Sequence, residues 1–152
     1  MTNWDDWQYY LGEWIGDGTG EPGEGSGGFS FYFDLQNQIL IRKNFAEYPA
    51  TEEKPAYRHD DLMVIYREPE GPFRAMYWDN EGHIIYYIAK FSEDKNTLTF
   101  IGDILESAPR FRFIYKKIDS NTLGIKFEIA PPGKLEEFTS YIEAIARKKI
   151  HL

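Results

Sequence analysis

Gly12, Trp14, Gly16, Gly18 and Gly20 occupy every second position of one short stretch, with Glu13, Ile15, Asp17 and Thr19 between them. In an extended chain successive side chains point to opposite faces. One face of this stretch is therefore almost bare backbone with a single indole, and the other is largely polar. Glycine weakens a strand, so such a run needs a reason: sharp bending, or close approach of another backbone or a ligand. A strand curling into a small closed barrel, with Trp14 filling one end, supplies that reason. A phosphate-cradling loop is the rival, but it needs a strand before it and a helix directly after. Here Glu21 to Gly28 is turn-rich and another β-like run follows.

The rest of the chain continues in that style. Residues 1–10 read as a short irregular or helical lead-in, with Trp4, Trp7 and Tyr10 or Leu11 at helical spacing, fit to lid one end of a barrel. Further strands are predicted at 28–34, 38–48, 57–67, 72–79, 83–92, 96–102, 109–117 and 121–130. Turn chemistry separates them, as in Pro69-Glu70-Gly71-Pro72, Asn80-Glu81-Gly82 and Asp119-Ser120-Asn121. Short strands at even spacing with no helix between them predict an antiparallel all-β meander within one domain spanning 1–152. With the glycine strand the count is nine. A closed meander needs an even number, so one strand is split or missed, giving ten, with eight as the alternative. Closure suits these long aromatic strands because it removes exposed edges. After Pro131-Pro132-Gly133, the residues Leu135, Phe138, Tyr141, Ile142, Ile145 and Ala146 recur at three and four. They predict an amphipathic helix over 135–149, packed against the barrel.

Composition narrows the function classes. The formal net charge of −8 disfavours nucleic acid or an anionic membrane as partner, since either calls for a basic face. The absence of cysteine removes disulfides, thiolate metal sites and a cysteine nucleophile. No basic, apolar leader is visible at Met1 to Asp6, and no apolar run approaches the roughly 18 residues of a membrane span. A cytoplasmic protein is the expectation. The aromatic share of 17% suits strands, and an aromatic barrel interior is also what a small organic ligand binds.

The Gly12-x-Trp14 pair, the meander and the expected terminal helix together resemble the calycin superfamily, which includes lipocalins and fatty-acid-binding proteins. The longer run to Gly20 looks like the opening of nitrobindin-like barrels. Ala46 to Ala50, His59 to Tyr66, Trp78 to His83 and Phe127 to Lys134 resemble a bacterial family of barrels of unknown function. The resemblance implies a closed antiparallel barrel and carries no established activity; a barrel of this strand number has room for one small ligand. Nitrobindin-like proteins hold haem through a histidine near the C-terminal end of the barrel. Beyond residue 83 this chain has only His151, next to its last residue, so no cofactor is expected.

Candidate site residues are polar groups standing mid-strand where a plain core carries Val or Leu. Arg42 and Asn44 share a face, as do His59 and Asp61; His83 shares one with Tyr87; Arg112 and Glu128 interrupt apolar strands. With Trp14 and Trp78 these ten residues form the expected ligand-binding set, and no metal is expected. Such a set predicts binding of a small, partly apolar organic molecule with an anionic group, held by Arg42 and Arg112. Two alternatives stand beside it: a barrel enzyme of isomerase or hydrolase type using His59 or Glu128, and a filled barrel serving as an interaction module. His59 and Asp61 point the same way, but their Cβ atoms are expected roughly 6–7 Å apart, which leaves contact open. Ile84, Tyr86 and Ile88 alternate with Ile85, Tyr87 and Ala89, so both faces of that strand are apolar. The terminal helix or a second subunit in a homodimer is expected to cover the outer face.

Overall fold

A computed structural model describes residues 2–17 and 25–150; Gly18, Gly20 and His151 lie outside the described residues. The strands are β1 (Gly12–Gly16), β2 (Ser26–Asp34), β3 (Ile39–Tyr48), β4 (Tyr57–Arg67) and β5 (Phe73–Asp79), then β6 (Ile84–Phe91), β7 (Thr97–Gly102), β8 (Arg110–Asp119), β9 (Thr122–Ala130) and β10 (Thr139–Lys148). Each pairs antiparallel with the next, and β10 pairs with β1, so these ten strands close a barrel. The closing seam sets Trp14 opposite Lys148 and Gly16 opposite Ala146. No helix among the described residues is long and apolar enough to cross a membrane.

One expected element is corrected. Residues 139–148 form a strand, the tenth, rather than an amphipathic helix. Against β9, Ile142, Ala144 and Ala146 lie opposite Phe127, Ile125 and Leu123, while Ile145 lies opposite Gly124 on the alternate face and Tyr141 stands at the register shift. Apolar residues on both faces, with a register shift between Ser140 and Ile142, imitate a three-and-four spacing. Without this strand β1 and β9 would each keep an unpaired edge, and pairing both removes that exposure.

Glycine acts where the sheet is tightest. A Cβ on Gly27 would stand 2.5 Å from the Phe45 carbonyl oxygen, and one on Gly28 would stand 2.6 Å from that of Trp14. Neither side chain can be accommodated, so β1, β2 and β3 approach as closely as they do only with bare backbone there.

Directly paired residues share a face, and the register therefore sorts the barrel wall. One inward row runs Phe31, Arg42, Met63, Tyr77, Ile85; the next runs Phe29, Asn44, Asp61, Asp79. The outward row between them carries Lys43, Leu62, Trp78 and Ile84, and the one on the other side of the Arg42 row carries Ile41, Val64, Met76 and Tyr86.

A 3₁₀ helix, Asp5–Tyr10, closes one end of the barrel. Trp4, Trp7 and Tyr10 reach inward from it, and Trp7 meets the rings of Phe73 and Phe91 at 5.1 and 5.0 Å between centroids. The helix is tied to the turns around it. The Trp4 indole donates to the Asn37 carbonyl at 2.9 Å, the Tyr9 hydroxyl donates to the Asp119 carbonyl at 2.7 Å, and Lys95 pairs with Asp6. Trp14 stacks on Phe29 beneath it and donates its indole N–H to the Tyr10 carbonyl. Each fully buried aromatic ring here contributes on the order of 1.5–3 kcal/mol by leaving water.

Candidate functional site

At the opposite end the inner wall turns polar. Arg42 comes from the middle of β3, where alternation aims it inward under the rings of the plug. Its Nε donates to the Tyr115 hydroxyl at 2.6 Å and its Nη1 to Asp61 Oδ1 at 2.6 Å. Its guanidinium lies 5.0 Å from the centre of the Phe113 ring. Asn44, two residues along β3, donates to Asp61 Oδ2 at 2.8 Å. His59, two residues before Asp61 on β4, places Nε2 at 2.9 Å from Asp61 Oδ2 and Nδ1 at 2.6 Å from Glu81 Oε1. The contact that strand spacing left open is therefore made, because both side chains lean toward each other. The Tyr77 hydroxyl stands 3.3 Å from His59 Nε2 and donates to Asp79 Oδ2 at 3.1 Å.

Exposure increases along this file. The side chains of Arg42 and Asp61 are 4% exposed, that of His59 is 22% and that of Glu81 is 44%. A chain of bonded polar groups thus leads from solvent to a guanidinium at the centre of the barrel.

The electrostatics follow from the contacts. Asp61 is disfavoured as an anion by burial, but Arg42 beside it and the bonds from His59 and Asn44 outweigh this and hold its carboxyl below the usual range. Its bond to Asp61, then the one to Glu81, push His59 up to about 9 against the opposing cost of burial. With a carboxylate on each ring nitrogen, His59 is an imidazolium near neutral pH, both N–H groups donating. Glu81 is held low, first by His59 and then by the Tyr57 hydroxyl. Asp79 is also low despite burial, because its Oδ1 accepts the backbone N–H groups of His83 and Glu81 and its Oδ2 meets the His83 ring. Burial pushes Tyr115 up to about 12 and Tyr77 well above the ordinary phenol, so both stay neutral, Tyr115 accepting from Arg42 and Tyr77 donating to Asp79.

Of the ten residues expected at the site, the fold brings Arg42, Asn44, His59 and Asp61 into one cluster, with the buried Tyr87 in the same wall. His83 stands at the rim, its side chain 54% exposed, against Asp79. Trp14 points inward but is built into the plug. Three positions are corrected. Trp78 faces outward, because β4 sets it opposite Leu62 and sets Asp79 opposite Asp61. It lines an open groove of about 510 Å³ with Phe45, Arg58 and Leu62, to which Asn44, Asp61 and Asp79 also contribute. Arg112 and Glu128 pair with each other on the outer face of β8 and β9, 2.7 Å apart, since Phe113 and Phe127 take the inward positions. Phe138, from the 131–138 connection, covers that pair, its ring 4.1 Å from the Arg112 guanidinium. The expected anion partner Arg112 and the expected acid–base residue Glu128 are thus both outside the barrel.

Tyr77, Asp79, Glu81 and Tyr115 are the cluster members absent from the expected set. The alternation Tyr77-x-Asp79 offers the same mixed aromatic and acidic face as its neighbours and is the signal that marks them. Glu81 belongs to a turn, where strand parity says nothing. On the outer wall, Ile84 and Tyr86 are 52% and 44% exposed, and the segment expected to cover them as a helix is instead β10.

The fold and site define a closed ten-stranded antiparallel barrel with one plugged end and one polar end. No family model and no curated protein sequence matches the chain.

Proposed function

We propose that the polar end is the mouth of a calycin-like binding barrel, and that it takes a small, partly apolar organic molecule carrying an anionic or hydrogen-bonding group. The observation that carries this reading is the bonded file from Glu81 at the rim to Arg42 at the centre. A buried ion pair is weak as a stabiliser, because desolvation offsets most of its attraction. A file of such groups on the inner wall, next to aromatic rings, has the make-up of a binding site. Arg42 and His59 are the cations an anionic group would meet, in competition with Asp61, while Tyr87 and Phe113 offer apolar contact. A cytoplasmic location is part of the same proposal.

Native mass spectrometry of freshly expressed protein tests it. The expected result is a co-purifying small molecule, or saturable one-to-one binding of 1-naphthoate as a probe, weakened about tenfold in Asn44→Leu. A bare chain that binds no probe would leave the filled-barrel interaction module as the correct reading.

A second reading, an isomerase or hydrolase, is favoured by one feature: His59 Nε2 meets both Asp61 and the Tyr77 hydroxyl. Charged at neutral pH, His59 would give a proton rather than take one. This reading predicts turnover of the co-purifying molecule at a rate that falls as pH rises through about 9.

A further inference from the structure

The rim of the polar end brings together an imidazole from β4, a carboxylate from the end of β5 and a carboxylate from the β5–β6 turn. One ligand atom from each of His59, Asp79 and Glu81 lies within 4.8 Å of the others. We propose that these three side chains bind a divalent transition-metal cation.

The donor set is one nitrogen and two oxygens, with no sulfur. That suits zinc, manganese or iron(II) better than copper(I), which prefers thiolates, or calcium, which takes six to eight oxygens. Two carboxylates balance the charge of a divalent ion. Three protein ligands leave a position free, as in sites that bind a substrate group rather than in closed structural ones.

The second, independent observation lies behind the imidazole. A metal-bound histidine characteristically turns its other ring nitrogen to a carboxylate, which fixes the ring and its tautomer. Asp61 stands there, 2.9 Å from His59 Nε2, and is not one of the three ligands. It is buried and held from behind by Arg42 and Asn44. This leaves Nδ1 facing the rim beside the exposed Glu81, where a bound ion would displace the Nδ1 proton and stand between the two groups. Asp79 is supported in the same way, by the Tyr77 hydroxyl and the His83 ring.

The inference does not depend on a small molecule entering the barrel. Isothermal titration of the EDTA-treated full chain with zinc chloride, and electron paramagnetic resonance with manganese chloride, test it. One ion per chain is expected, with affinity reduced about tenfold or more in His59→Gln and in Glu81→Gln. Glu81 is exposed, so its variant keeps the fold even where the His59 variant does not. The control Glu137→Gln, at another exposed acidic position, should bind as the parent does. Absence of stoichiometric binding, or binding unchanged in both rim variants, would overturn the proposal and mark any uptake as adventitious association with an acidic surface. Metal binding without any naphthoate binding would sink the small-molecule reading alone.

Discussion

The two ends of this barrel are filled by opposite means. At the plugged end Trp4, Trp7, Tyr10, Trp14, Phe29, Phe31 and Phe100 pack ring against ring, and the Trp7 indole nitrogen and Tyr10 hydroxyl are left without a hydrogen-bond partner. An orphaned buried group costs about 1–3 kcal/mol, and the area these rings remove from water outweighs it. At the polar end Arg42, Asn44, His59 and Asp61 all have bonded partners. One end is organised by packing and tolerates unmet polar atoms; the other is organised by hydrogen bonding. A chain selected for stability alone would fill both ends like the first. That contrast is the reason to place function at the second.

Variants of each end should respond differently. Trp7→Ala empties a fully buried indole and should cost about 3–5 kcal/mol, read as a lower urea midpoint. It should leave naphthoate binding at the polar end intact if the chain still folds. Arg42→Met takes away the partner of Asp61 Oδ1, leaving the buried carboxylate only His59 and Asn44 on Oδ2, and should cost about 3 kcal/mol. Adding Asp61→Leu should recover most of that loss, and failure to recover would show that Arg42 matters for its ring contacts instead.

The pH dependence separates the ends further. His59 has a folded pKa of about 9, above its ordinary 6.5. Its contribution is therefore fully present below pH 6.5 and is lost as pH rises toward 9. Asp61 and Glu81 are held low, so theirs is present above the ordinary carboxylate range and is lost as acid protonates them. In EDTA-treated protein, the unfolding free energy should fall between pH 6.5 and 9 by about 1–2 kcal/mol after solvent screening, and His59→Gln should be flat there. The smallest effect belongs to the plug. Tyr10→Phe removes an orphaned hydroxyl and should raise stability by about 1 kcal/mol, read from the same urea transitions. A loss instead would show that the hydroxyl finds a partner in solution.

The sequence made much of this architecture legible for a physical reason: turn residues punctuate nearly every strand, so β2 to β9 stand within a few residues of their expected bounds. β10 was hidden because Tyr141-Ile142 and Ile145-Ala146 place apolar groups on both faces, and paired doublets read as a helical stripe. On β3 and β4 the polar residues share a face with buried apolar ones, and that face is the inner one. On β5 both faces are mixed, so only the register against β4 chooses Tyr77 and Asp79 over Trp78. On β8 and β9 a polar pair is sheltered from outside by Phe138, and shelter of that kind comes from a loop whose path no strand pattern encodes.

The central claim is that the polar end alone is built to admit a ligand. Amide chemical-shift mapping during titration of ¹⁵N-labelled protein with 1-naphthoate tests it most directly. Saturable shifts are predicted at Asn44, His59, Asp61, Tyr77 and Tyr87, with Trp7 and Tyr10 unmoved. Shifts confined to the plug, or to the outer row of Trp78, Ile84 and Tyr86, would contradict it.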